Sequence, residues 1–344
     1  MRLSGENLRS SLAALGIALL LVACGGDDDN GGSAEPAEGT DRAEFKIALV
    51  TDVGQLNDRG FNQLAHEGLK RAEKDLGVEI RVTQSESAAD YVPNHTALAR
   101  QGFDLIIGVG FAQGEAVAAA AKSFPDSRYA IIDVDQTTLP GKPRNVVGIL
   151  FREEQAGYLA GVLAGRSVMG SPIIGSVGGY KEPPVDRFIA GYQAGARSVV
   201  PGVRTLNGYS SDWDDQAKCK EIALNQISRG ASVVFQVAGG CGLGALDAAQ
   251  ERNVWGIGVD ADQSFLGQHV LTSAMKRVDE AVFRTIQSVV DGRWQGGLNL
   301  TFGLQEDGVG LGTINQQVPE EDRRALDEAR QQILAGEVEI PRTL

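Results

Sequence analysis

From Phe45 to Val259, short unbroken apolar runs alternate with segments whose apolar residues recur at helical spacing. Phe45–Val50 is the first run and ends in Thr51-Asp52. Phe61–Leu76 then carries Leu64, Ala65, Gly68, Leu69, Ala72 and Leu76 along one helical face. Val78–Val82 reads as a strand and Val92–Gln101 as a helix, followed by strand Leu105–Val109, helix Glu115–Lys122 and strand Tyr129–Asp133. A second series opens with helix Glu153–Gly165, strand Pro172–Val177, helix Val185–Ala196, strand Arg204–Gly208 and helix Asp215–Arg229. Strand Ser232–Val237, helix Gly244–Gln250 and strand Trp255–Val259 complete it. A strand covered by helices on both faces has no polar side to show, and a helical connection brings the next strand back parallel. The pattern predicts an α/β fold of two doubly wound parallel-sheet lobes, 45–150 and 151–271. Part of 272–310 is expected to return to the first lobe and part of 311–344 to the second.

The N-terminus has a different character. Arg2 and Arg9 precede Leu12–Ala23, an apolar run about half the roughly 20 residues a membrane-spanning helix needs. It reads as the h-region of a signal peptide covering 1–23. Leu21-Val22-Ala23-Cys24 resembles a bacterial lipobox, in which the cysteine thiol receives diacylglycerol. The alternative is an ordinary cleavage site with a chance cysteine. Gly25–Thr40 holds no large apolar residue, so 24–44 is expected to be a lipidated cysteine with a flexible tether. A soluble domain would then sit outside the cytoplasm, anchored to the cell membrane through Cys24. No second hydrophobic span follows the tether.

The formal charge is −13, and losing Arg2, Arg9 and Glu6 with the leader makes it one unit more negative. With no basic run, nucleic acid and anionic lipid are poor ligands for this surface. Once Cys24 is assigned to lipid, Cys219 and Cys241 remain, too few for a structural zinc site, and His66, His95 and His269 show no ligand spacing. Neither metal nor cofactor is expected. In an oxidising compartment the two cysteines are expected to pair, the alternative being two buried thiols.

In open parallel sheets, ligands bind beyond the carboxyl ends of the strands. Asp52, Phe111, Asp133, Asp135, Phe235, Asp260 and Asp262 gather at those ends. Any one of them could merely cap the next helix. Together, at facing edges of two lobes, they predict a cleft that closes on a small solute.

The stretch from Thr51 through Asp52, Gly54 and Asp58 to Phe61-Asn62-Gln63 resembles the opening motif of the basic membrane protein lipoproteins, which include purine nucleoside receptors. Glu154–Gly161, the Pro and Phe-x-x-Gly within Gly178–Gly195, Ala217-Lys218, Gly258–Gln263 and Leu271–Lys276 extend the resemblance from Lys46 to about Gly312. Gly60, Cys219 and Cys241 depart from the family's usual residues. The resemblance implies a type I periplasmic-binding-protein fold that stacks a purine nucleoside between two aromatic rings. Phe61 matches the ring of the first lobe and Phe235 that of the second. Asp52 matches a polar contact, Asp133 or Asp135 a base contact, and Asp260 or Asp262 with Lys276 the ribose grip. A solvated helix lysine paired with Asp279 is the other reading of Lys276. The implied partners are a nucleoside and an ATP-driven, ABC-type permease.

Other classes fit less well. A nucleoside hydrolase would need a tight aspartate cluster and an activated water, and no Ser/His/Asp set is present either, so no catalytic residues are expected. The same fold could hold a sugar or another small solute, or serve a sensor or adhesin lipoprotein.

Overall fold

The computed structural model describes residues 45–344 apart from 169 and 171. The expected leader, Cys24 and the tether lie outside the described residues.

The chain begins with β1 (Lys46–Val53), α1 (Phe61–Leu76), β2 (Glu79–Ser85), α2 (Tyr91–Arg100), β3 (Leu105–Gly108), α3 (Gly114–Ser123), β4 (Arg128–Ile132) and β5 (Val146–Phe151). It continues through α4 (Glu153–Arg166), β6 (Ile173–Gly178), α5 (Pro183–Val199), β7 (Arg204–Tyr209), α6 (Gln216–Ser228) and β8 (Val233–Val237). Then follow α7 (Gly242–Glu251), β9 (Trp255–Asp260), β10 (Val270–Lys276), α8 (Val278–Val290), β11 (Leu298–Phe302), β12 (Val309–Leu311) and α9 (Glu320–Leu334).

The strands form two six-stranded sheets, ordered β11-β5-β4-β3-β1-β2 and β12-β10-β9-β8-β6-β7. Every neighbouring pair is parallel except β10 with β12. Apart from the outermost β11 and β12, the two sheets repeat one order, so β1 corresponds to β6 and β4 to β9. The order reverses between β1 and β3, and again between β6 and β8. At such a switch point the two adjoining connections leave on opposite faces and open a crevice.

Three segments carry the chain between the sheets: Arg152 after β5, Arg277 after β10, and the stretch from β11 to β12. They bind one another through Arg152 N–H to the Phe302 carbonyl (3.0 Å) and Arg277 N–H to the Gly308 carbonyl (2.8 Å). The sequence patterns do not reveal β5, β10, α8, β11, β12 or α9, and these are the elements around that crossing.

Two of the family-like motifs turn out to serve packing. A Cβ at Gly161 would overlap the Tyr192 carbonyl, and one at Gly191, the Gly of Phe-x-x-Gly, would overlap the Glu154 carbonyl. The small residues let α4 and α5 approach backbone to backbone. Cys219 at the start of α6 and Cys241 before α7 are bridged, with Cα atoms 5.6 Å apart. Among the described residues, no helix is long and apolar enough to cross a membrane.

Candidate functional site

Both switch points open into one cleft between the sheets. It encloses about 640 Å³ of space free of protein atoms, part of it continuous with solvent. Asp52, Asp58, Phe61, Asn62, Phe111 and Asp133 line it from the first sheet's side. Glu182, Phe188, Trp213, Val237, Asp260 and Lys276 line it from the second.

The first wall is tied down by local hydrogen bonds. Asp58 accepts from the backbone N–H groups of Gly60 (2.9 Å), Asn62 (2.9 Å) and Gln63 (3.2 Å), which satisfies the free donors at the start of α1. Phe61, the first residue of that helix, is thereby fixed at the cleft. Asp52 accepts from the Tyr91 hydroxyl and from the Val53 N–H (2.7 Å). Gly110, at φ +110°, passes so close to the Asp52 carboxylate that a Cβ there would collide with it. Burial nonetheless dominates at both aspartates and holds their carboxyls above the usual range.

Between the lobes lies a buried ion cluster. Lys276 Nζ stands 2.7 Å from both carboxylate oxygens of Asp133 and 3.1 Å from Glu153. The same ammonium is 5.0 Å from the ring centres of Phe61 and Phe151, within cation–π range. Burial opposes its charge, but the carboxylates of Asp133, Glu153 and Asp260 outweigh it and raise Lys276 to about 12. Asp133 is pushed to about 6 by burial, with the Lys276 charge pulling the other way. Lys276 is the last residue of strand β10 and 2% exposed, so the solvated helix lysine is corrected.

Asp260 has the opposite circumstance. It is 7% exposed and lines the cleft, yet its carboxylate has no hydrogen-bond or ion-pair partner among the described residues. Burial lifts it to about 7 against the pull of Lys276. Glu182 caps no backbone group of α5 and is likewise without a partner among the described residues. Burial and then the charges of Asp52 and Asp133 bring it to about 7.

The fold brings Asp52, Phe61, Asp133, Asp260 and Lys276 together, and it separates three other expected residues from them. Asp135 turns away to accept from Thr137 N–H (2.8 Å) and Asn299 (2.7 Å). Asp262 accepts from Ser264 N–H (3.1 Å) and from Thr313. Phe235 is fully buried and does not line the cleft. It packs edge-on beneath Phe188 (6.1 Å) and against Tyr192 (5.1 Å). Its place in the wall is taken by Phe188 and Trp213. Trp213, Glu182 and Glu153 carry no signal in the sequence beyond residue type, because loop and helix-start positions acquire their orientation only from packing, whereas Phe188 is the Phe of the Phe-x-x-Gly motif inside α5.

Two contacts join residues of the two lobes. Gln263 Nε2 donates to the Arg59 carbonyl (3.2 Å), and the Arg59 guanidinium lies 5.5 Å from the centre of the Phe265 ring.

Residues 45–343 match the family model described as ABC transporter substrate-binding protein PnrA-like. Among curated relatives, the ABC transporter nucleoside-binding protein BmpA of Lactococcus lactis subsp. cremoris is 34% identical over 96% of this chain and 97% of its own. An uncharacterised lipoprotein of Pyrococcus abyssi is 36% identical over 89% of this chain and 77% of its own. Among solved structures, an ABC transporter solute-binding protein from Aeropyrum pernix K1 superposes with a TM-score of 0.78 at 28% identity, covering 86% of this chain and 92% of that one. Fold, cleft and matched sequence agree: the chain belongs to the Bmp family of PnrA-like ABC transporter substrate-binding proteins.

Proposed function

We propose that this cleft captures a purine nucleoside and that the protein hands it to an ABC-type permease. The observation that carries the reading is Asp260, a nearly buried carboxylate facing the cleft with no partner of its own among the described residues. Leaving such a group bare is costly, and two adjacent ribose hydroxyls would supply charge-assisted hydrogen bonds to it. Phe61 offers a flat apolar face for a base, with Phe188 and Trp213 opposite. Lys276 holds Asp133 in place for the base. Nucleoside binding is named for the Lactococcus relative, and these residues suit that chemistry.

The protein acts by binding rather than catalysis. Residues 1–23 serve as its signal peptide, and Cys24 carries the lipid that anchors it outside the cytoplasm. Residues 45–151 with 298–302 form one lobe, and 153–276 with 309–334 the other. Mass spectrometry of small molecules released on denaturing the purified protein tests the ligand. A nucleoside is expected; a sugar, or no nucleoside binding by the stripped protein in calorimetry, rejects the reading. Replacing Cys24 with Ser should move the protein to the soluble fraction, and membrane retention of that variant rejects the anchor.

A further inference from the structure

Gln263 ends the Gly258–Gln263 motif but does not line the cleft. It is 1% exposed, and its side chain is bonded at both polar atoms. Nε2 donates across the lobes to the Arg59 carbonyl (3.2 Å), while Oε1 accepts from Gln236 Nε2 (2.9 Å) and from the Val259 N–H (3.4 Å). Gln236, itself fully buried, accepts from the Ala238 N–H (3.1 Å). One chain of amides thus runs from the loop before α1 to the segment after β8, where Gly239 and Gly240 line the cleft. On its way it holds the end of β9, the strand that carries Asp260. Two residues beyond Gln263, Phe265 meets the Arg59 guanidinium at 5.5 Å, although the residue is 63% exposed.

Arg59 lies between Asp58, which ties down the start of α1, and Phe61, the ring offered to a base. Its backbone is left-handed (φ +56°), a conformation that long side chains seldom adopt and that neighbours must hold. Gly60 comes so close to the second lobe that a Cβ there would stand 3.6 Å from Asp260 Oδ2. The loop carrying Phe61 and the strand end carrying Asp260 therefore meet at Arg59 and Gln263. In an open cleft water would serve both the Arg59 carbonyl and the Gln263 amide; on closure the two serve each other. We propose that Gln263 and Phe265 are positioning residues: by gripping Arg59 they fix the spacing of Phe61 and Asp260 in the closed cleft, and so set how long a nucleoside stays bound. Neither lines the cleft, so they act through Arg59 and not on the solute. The inference rests on the nucleoside reading and goes beyond it.

Stopped-flow binding of guanosine to the ligand-stripped protein, followed through the fluorescence of cleft-lining Trp213, tests it on wild type, Gln263→Met and Phe265→Ala. Methionine keeps the length of the side chain and donates no hydrogen bond. A carbonyl left without its partner on closure implies dissociation about tenfold faster for Gln263→Met. Loss of an exposed cation–π contact implies dissociation about threefold faster for Phe265→Ala. Association rates should stay within about twofold of wild type, because the grip forms only after capture. Melting curves establish that each variant is folded, and the exposed Phe265 can be truncated without opening the core. Unchanged dissociation in either folded variant, or weaker binding that arises in the association rate, overturns the positioning role and leaves the nucleoside reading standing. A wild type that binds no purine nucleoside overturns both.

Discussion

Asp133 and Asp260 occupy equivalent places in the two sheets: each stands at the carboxyl end of the fourth strand in the repeated order, and each has a left-handed backbone, at φ +71° and +63°. Such a conformation is uncommon outside glycine and asparagine or aspartate, and it costs of order 1–3 kcal/mol. Here it turns both carboxylates into the cleft. One of them is paired with Lys276 and the other is bare.

This asymmetry predicts opposite effects of the same substitution. Asp133→Asn takes a charge from buried Lys276 and should destabilise the protein by about 3–5 kcal/mol. Asp260→Asn relieves a crowded negative charge, so it should leave the ligand-free protein as stable or more so while weakening nucleoside binding at least about tenfold. Urea denaturation and calorimetry on both variants check this. An Asp260→Asn protein that binds as wild type does would remove Asp260 from the site.

Stability should also depend on pH in a particular direction. Asp260 and Glu182 at about 7 bind protons in the folded state that the unfolded chain releases near pH 4. Asp52 and Asp58 are shifted the same way. Their contribution is complete below about pH 4 and is lost as pH rises through about 7. The ligand-free protein should therefore have a lower denaturation midpoint at pH 8 than at pH 5, and Asp260→Asn should flatten the trend. A midpoint that rises over that interval contradicts the burial of these carboxylates.

The rings separate in the same manner. Phe61→Ala should weaken binding about ten- to a hundredfold, the equivalent of roughly 1–3 kcal/mol of base stacking, with a modest change in melting temperature. Phe235→Ala opens a cavity behind Phe188 and should cost about 3–5 kcal/mol of stability, while the folded fraction still binds. Strong loss of binding in a stable Phe235→Ala protein would restore that ring to the clamp.

Cys219 and Cys241 close a loop with a sequence separation of 22. Chain entropy then gives the bridge about 3 kcal/mol, so the double Ser variant should denature earlier by that amount. The Cys241 N–H also bonds the Trp213 carbonyl (2.8 Å), beside the cleft wall, so that variant should bind ligand more weakly as well. Thiol titration of denatured, unreduced protein should find neither cysteine free.

The sequence exposes the fold and half of the site for different physical reasons. Helix-covered parallel strands must be apolar throughout, which makes β1, β3, β4, β6, β8 and β9 plain. Strand β10 is harder to see because Thr272 and Ser273 are polar, although both are fully buried. Phe235 illustrates the limit of strand-end reasoning. It shares a face with Val237, which reaches the cleft, but lies one side-chain step deeper. Asp135 and Asp262 fail for the opposite reason, each lying two residues beyond the aspartate that turns inward. Glu182 and Trp213 acquire meaning only when the second lobe faces the first, and no local pattern encodes that.

The chain's threefold crossing between the sheets has a consequence for how the molecule is made. Strand β11 covers the outer edge of β5, and β12 covers the outer edge of β10, so both sheets receive their last strand from the same short stretch near the C-terminus. A chain emerging from its N-terminus cannot finish one lobe and then begin the other. Until residues 298–311 arrive, β5 and β10 stand as edge strands of their sheets, and their unpaired backbone can pair with a neighbouring chain. Completion of the two lobes is one event in biosynthesis, and a nascent chain stalled before it carries two incomplete sheets at once.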